Sequence, residues 1–292
     1  MRAIIFGANG QDGRYLRDLL LKQKIEVICI SRNGPFVKGD VANFEFVKKI
    51  ISNVVPDYIF HLAANSSTDH KFIFENYRTI CDGTNNILES AKDICPRSKI
   101  FIAGSALQFE NNGNPINEAT AFKPSSAYAA ARINSVMVSR YFREKFNLKI
   151  YVGYLFNHDS VYRSGDHINQ KIIKTVKRIA NGSKEKLEIG DLSVNKEFNY
   201  AGDIVSAIWT LVNQERNYES VIGCGKTHSI QDWVDICFQI AKLDSIEHIS
   251  PKIGYISDFK RLVSDPSLIL SLGWEPKVDI LQLAGMMYNN II

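Results

Sequence analysis

Tyr128 and Arg132 lie four residues apart in the run SSAYAAAR, a spacing that puts both side chains on one face of a helix. Such a pair suits proton transfer. A phenol can give or take a proton at an oxygen while hydride moves at the attached carbon, but its ordinary pKa near ~10 demands a neighbouring positive charge. Arg132 supplies that charge and is expected to lower the phenol's pKa. Ser105, in the run AGSA, follows a strand-like stretch and offers a hydroxyl to the same oxygen. These three residues form the candidate catalytic set.

Hydride chemistry needs a carrier, and the N-terminal residues are of the kind that hold one. Gly7, Gly10 and Gly13 form GxxGxxG between an apolar strand and a helical pattern. Small residues there allow a tight turn and let backbone N–H groups meet a pyrophosphate at the helix N-terminus. Asn9, Gln11 and Asp12 belong to the same turn. At the end of the second strand, where NAD enzymes carry an acidic residue for the ribose diol, the sequence has Ser31 and Arg32. A guanidinium at that point pairs with a 2′-phosphate, which favours NADP(H) over NAD(H). Asp40 and Val41, in the run GDV, are placed to meet adenine. Leu62, Ala63 and Ala64 offer a small-residue strand end beside the cofactor.

The elements that must position these groups alternate along the chain. Strand patterns are read at residues 3–6, 26–31, 58–63, 99–103 and 149–155, with amphipathic helical patterns at 14–22, 43–52, 84–91 and 126–146. Alternating β and α elements predict a doubly wound parallel sheet of the Rossmann kind over residues 1–156. After residue 157 the rhythm weakens. Helices are expected at 168–180, 203–214 and 229–243, a strand at 187–190 and a short helix at 265–272 ended by Gly273. Residues 157–292 are therefore expected to form a smaller α/β substrate-binding part, with about 191–228 returning to the core.

Of the 292 residues, 45% are hydrophobic and 23% charged, which favours a globular enzyme-sized chain over a disordered one. The formal charge of +4 is spread along the chain, so nucleic acid is not indicated. Cys29, Cys81, Cys95, Cys224 and Cys237 show no CxxC spacing, so neither zinc nor a disulfide framework is expected. No run approaches the ~18 apolar residues of a membrane span, and the start of the chain enters a strand at once. The expectation is a cytoplasmic protein with no membrane partner.

Several stretches carry a resemblance. GANGQDGRYL at residues 7–16, LAANSS at 62–67, LFNHDS at 155–160, KEFNYAGDIVSAIW at 196–209 and LGWEPKV at 272–278 resemble the extended short-chain dehydrogenase/reductases, and within them the GDP-mannose 4,6-dehydratase branch. The match spans nearly the whole chain. It implies a nucleotide-diphosphate sugar as substrate, GDP-linked, and a homodimer formed through the long helix at 126–146. The family's Ser or Thr, Tyr and Lys map onto Ser105, Tyr128 and, in the lysine position, Arg132. Asn157 resembles the sugar or phosphate ligand of LFNH, Lys196 replaces an arginine on the diphosphate, and Arg261 stands where the family holds phosphate or ribose.

Two departures set the functional expectation. Arg132 keeps the charge of the family's lysine but cannot shed a proton and carries a larger fork. The dehydratases place a glutamate two residues after the Ser or Thr to remove the C5 proton, and here that position is Leu107. Glu110 is the nearest following carboxylate. A leucine cannot act as a base, so elimination is expected to be lost while hydride transfer survives. The expected activity is NADP-dependent oxidoreduction at C4, most simply reduction of a 4-keto sugar. The alternatives are a 4,6-dehydratase with another base, or a binding protein without turnover.

Overall fold

The computed structural model describes residues 1–165, 167–252, 254 and 257–290. Six strands, β1 (Arg2–Phe6), β2 (Glu26–Ser31), β3 (Val37–Lys38), β4 (Tyr58–His61), β5 (Lys99–Ser105) and β6 (Lys149–Leu155), are joined by an edge strand, Glu219–Ile222. They form one parallel sheet, ordered from the edge strand through β6, β5, β4, β1 and β2 to β3. Strands are added first on one side of β1 and then, from β4, on the other, which leaves a crevice at the carboxyl ends of β1 and β4. This is a Rossmann-type doubly wound fold.

Both faces of the sheet are covered, which explains why β1 reads as an unbroken apolar run. Successive side chains leave a strand on opposite faces. Ile4 and Phe6 pack with Val47 and Ile51 of α2 (Phe44–Val54), and with Ile87 and Val136 of the helices Gly83–Ile94 and Ala127–Phe146. Ala3 and Ile5 face Leu16 and Leu20 of α1 (Gln11–Lys22) and Ile204 and Ile208 of the helix Ala201–Val212. Residues 201–222 thus lie on the sheet. A separate core joins Ile172 and Val176, Trp233 and Phe238, and Leu283 and Met287 from the helices Ile168–Ala180, Ile230–Ile240 and Ile280–Asn289.

The long elements fall where hydrophobic period places them, and the differences are informative. Helix α1 begins at Gln11, three residues before its apolar stripe, because Gly10 holds the extended N-cap conformation and the glycine turn itself winds into the first turn. β5 runs on to Ser105, so the candidate serine ends the strand. The sequence pattern does not reveal Val37–Lys38, Glu219–Ile222 or the π-helical turn Tyr77–Asp82, each too short for a periodic signal. The helix Ile280–Asn289 is likewise outside the sequence expectation, although Asp279 and Gln282 form a capping box at its start.

Candidate active site

The glycine turn at the end of β1 is built so that no side chain fits. Gly7 has φ +92°, and a Cβ there would stand 2.6 Å from the Ala63 nitrogen; one on Gly13 would stand 2.5 Å from the Gly7 oxygen. The turn therefore lies flat against the end of β4 and against α1. Gly7, Gly10, Gln11, Asp12 and Gly13 line a cavity of about 230 Å³ at the N-terminus of α1, a place suited to a pyrophosphate. Ser105, Leu107, Tyr128, Arg132 and Asn157 line the same cavity.

The polar side chains of the turn are used for a second purpose. Gln11 Nε2 donates to the His158 carbonyl (3.2 Å), Ser160 Oγ donates to Gln11 Oε1 (3.1 Å), and Asp12 pairs with His158 Nε2 at 3.0 Å. Burial disfavours charge on both Asp12 and His158, but their attraction outweighs it. The carboxyl is lowered and the imidazole raised from their ordinary values. QDG and LFNH thus clasp each other across the cleft. Asn9 accepts a hydrogen bond from Arg14 Nη2 at 2.7 Å.

Next to this lies a cavity of about 150 Å³ lined by Asn9, Ser31, Arg32, Asp40, Val41, Leu62, Ala63, Ala64 and Thr79. Its position beyond the glycine turn, at the ends of β1, β2 and β4, suits an adenosine. Ser31 Oγ donates to the Asn33 carbonyl at 2.6 Å. Arg32 Nη2 donates to Glu75 Oε1 at 2.8 Å, and Asp40 pairs with Arg78 at 3.4 Å. Glu75 and Arg78 lie on a segment that sequence reading passed over.

At the catalytic end, Ser126 caps the helix Ala127–Phe146 by accepting from the Ala129 N–H at 3.1 Å. This fixes Tyr128 and Arg132 in its first two turns. Arg132 Nε donates to Tyr128 Oη at 3.1 Å, and its Nη1 donates to the Ala103 carbonyl at the end of β5. Tyr128, Arg132 and Ser105 are all buried. Ser105 Oγ accepts from the Leu107 N–H (3.3 Å) while its own N–H donates to Gln108 Oε1 (2.8 Å), so the hydroxyl proton is left for another acceptor. Beneath the guanidinium lies His61, fully buried, with neither ring nitrogen in a well-formed hydrogen bond. Burial and then the Arg132 charge push its pKa down to about 3, against weaker pulls from the backbone of Ile80 and Thr79.

Leu107 stands on the wall between this cavity and a neighbouring one of about 630 Å³, sharing that wall with Ala106 and Leu262. Glu110 points elsewhere. It is exposed, lies 3.8 Å from Lys123, and lines neither cavity. Among the described residues this first cavity has one carboxylate on its wall, Asp12, which pairs with His158.

The expected substrate ligands separate. Asn157 lines the catalytic cavity and its Oδ1 has no partner. Lys196 does not reach the cavity: it is buried, and its Nζ donates to Asn169 Oδ1 at 3.1 Å. Burial lowers its ammonium to about 8, with Asp159 pulling the other way. Arg261 lies on the larger cavity and donates to the Gly113 carbonyl at 3.2 Å. Arg163 and His167, which sequence reading missed, do line the catalytic cavity. Arg163 is held by Asp159 at 3.0 Å and Asp159 by Asn169 at 2.6 Å, so Lys196 braces the cavity cation from behind. Their clue was proximity to LFNH. Among the described residues, no helix is long and apolar enough to cross a membrane.

Comparison with known proteins agrees with this architecture. The chain is 28% identical over 319 residues to GDP-mannose 4,6 dehydratase 1 of Arabidopsis thaliana, covering 98% of this chain and 88% of the relative. It shares its fold with dTDP-glucose 4,6-dehydratase from Bacillus anthracis in complex with NAD (TM-score 0.87, 18% identity, 99% and 96% of the two chains). It shares it equally with RMD from Pseudomonas aeruginosa complexed with NADPH (TM-score 0.85, 18% identity, 99% and 96%). The model of the GDP-mannose 4,6 dehydratase family matches residues 4–287. With the glycine turn, the QDG–LFNH clasp and the Ser105–Tyr128–Arg132 grouping all inside that match, the chain belongs to the GDP-mannose 4,6 dehydratase family.

Proposed function

We propose that the protein is an NADP-dependent oxidoreductase acting at C4 of a GDP-linked sugar, most simply a reductase of a 4-keto sugar. The observation that carries this reading is Leu107 on the wall of a cavity where, among the described residues, the one carboxylate, Asp12, is already paired. The grouping of Ser105, Tyr128 and Arg132 supports hydride chemistry, and the absence of an unpaired carboxylate on that wall among the described residues argues against removal of a C5 proton by the carboxylate that such an elimination uses. When bound, the dinucleotide supplies the hydride. Tyr128 donates its proton to the C4 oxygen, Ser105 gives the same oxygen a hydrogen bond, and Arg132 holds its charge beside the phenol while meeting the cofactor ribose. Asn157 and Arg163 take the sugar and the diphosphate, Lys196 supports Arg163, and Arg261 holds the outer part of the nucleotide. The glycine cradle fits a dinucleotide, and Arg32 favours the phosphorylated one.

Membership of a dehydratase family favours a second reading, in which the chain removes water using a base from elsewhere. One experiment separates them. Purified protein is mixed with NADPH and GDP-4-keto-6-deoxymannose while NADPH absorbance is followed, and in parallel with NADP and GDP-mannose with products identified by mass. Consumption in the first tube with no dehydrated sugar in the second supports the reductase. Water loss without net cofactor change makes the chain a dehydratase. If neither tube reacts while both ligands bind, the chain is a binding protein.

We also propose a homodimer through the helix Ala127–Phe146 in a cytoplasmic setting. Met137 and Tyr141 are exposed on that helix, with Phe74 and Tyr77 exposed on the segment packed beside it, an apolar surface that a second copy would cover.

A further inference from the structure

We propose that Glu75 sets the choice between phosphorylated and unphosphorylated dinucleotide by competing with the 2′-phosphate for Arg32. This rests on the reading of the Ser31–Asp40 cavity as the adenosine site of the cofactor.

The end of β2 carries no acidic residue, yet the fold brings one there from 43 residues away. Both carboxylate oxygens of Glu75 are engaged: Oε1 accepts from Arg32 at 2.8 Å and Oε2 from Asn65 Nδ2 at 3.0 Å. These two bonds hold its carboxyl below the usual range, so it is charged at neutral pH. Its helix, Ile73–Asn76, is anchored at the next residue, where fully buried Asn76 donates to the Ser67 carbonyl at 3.2 Å. The carboxylate is therefore held against Arg32, which lines the cavity. Asp40 and Arg78 form a second pair at the same cavity, 3.4 Å apart.

Two guanidinium groups, each facing a carboxylate, make a mouth without net charge. A 2′-phosphate brings up to about two negative charges. At Arg32 it must either displace Glu75 from Nη2 or share the guanidinium with it, and in both cases it lies beside that carboxylate. An unphosphorylated ribose meets no such cost, because its hydroxyls can donate to a carboxylate, the acceptor that NAD-binding folds place at this position. Arg32 thus favours the phosphorylated cofactor and Glu75 restrains that preference. The two side chains are partly exposed, so their pair is weak enough to be exchanged.

The test is a double-mutant cycle on the full chain. Dissociation constants for NADPH and NADH are measured by fluorescence titration for the wild type, Glu75→Gln, Arg32→Gln and the double variant. The glutamine keeps the shape of Glu75 without its charge. We expect Glu75→Gln to raise the NADPH-over-NADH preference about tenfold, equivalent to about 1.4 kcal/mol. Arg32→Gln should lower that preference, and in its background Glu75→Gln should raise the preference by clearly less than it does in the wild type. A ratio within twofold of wild type in Glu75→Gln overturns the proposal, as does the same rise in the Arg32→Gln background. A ratio is unaffected by a general loss of binding-competent protein. Failure of the wild type to bind either dinucleotide would instead defeat the cofactor reading on which this proposal stands.

Discussion

Acidification from pH 7.5 to 4.5 should destabilise this protein through His61, and the size of the effect follows from where that ring sits. It is fully buried between the sheet and the helix that carries Arg132, and its pKa is about 3, against 6.5 for an ordinary histidine. Between those values the unfolded chain binds a proton that the folded chain does not. Stability therefore falls as pH drops through 6.5 and continues to fall toward 3. At pH 4.5 the unfolded histidine is two units below its ordinary pKa, which at about 1.4 kcal/mol per unit makes a loss of about 3 kcal/mol. The loss is already complete in its pH dependence near pH 3, where the folded ring also titrates. The assay is urea unfolding at both pH values for wild type and His61→Leu. Packing costs of the substitution cancel when each protein is compared with itself across pH. The variant should lose about 3 kcal/mol less than wild type on acidification. Equal losses in the two proteins would refute the burial and charge argument, and with it the picture of Arg132 as a buried cation above a neutral imidazole.

Three further outcomes bear on the site. Tyr128→Phe should cut kcat for 4-keto-sugar reduction by about 10²–10⁴-fold with little change in KM, measured by NADPH consumption. Glu110→Gln should stay within twofold of wild type in that assay, because the side chain is exposed and off the cavity; loss in this variant of dehydrated sugar that the wild type forms from GDP-mannose would instead restore Glu110 as the missing base. Arg163→Gln should raise KM for the sugar nucleotide by about ten- to a hundredfold, the worth of one hydrogen bond to a charged group, with a smaller effect on kcat. An unchanged KM would remove Arg163 from the diphosphate.

The replacement of lysine by Arg132 is built into the local structure. A lysine offers one nitrogen, whereas the guanidinium spans from Tyr128 Oη to the Ala103 carbonyl and ties the helix Ala127–Phe146 to β5. That bridge keeps the phenol at the end of the strand that also carries Ser105. The cost is a buried charge, and the neutral His61 beside it is part of that cost.

Local signals in the sequence were enough for the frame of this molecule. The apolar run of β1, the glycines that follow it and the amphipathic stripes of the long helices are determined by near neighbours, and near neighbours are what periodicity and turn chemistry report. The four-residue spacing of Tyr128 and Arg132 was legible for the same reason: a helix of ordinary pitch brings them together without help from elsewhere. What only the tertiary structure decided is which side chains are already spent. By sequence Arg32 is a guanidinium placed for a 2′-phosphate, and the fold brings Glu75 to it. Asp12 and Gln11 read as cofactor residues, and the fold turns them to His158 and Ser160, more than a hundred residues away in sequence. Lys196 read as a phosphate ligand, and burial commits it to Asn169, while Arg163 takes the place on the cavity. Charge and hydrogen-bonding capacity are properties of a residue, but their availability depends on partners that chain folding brings from a distance, and no spacing rule encodes those.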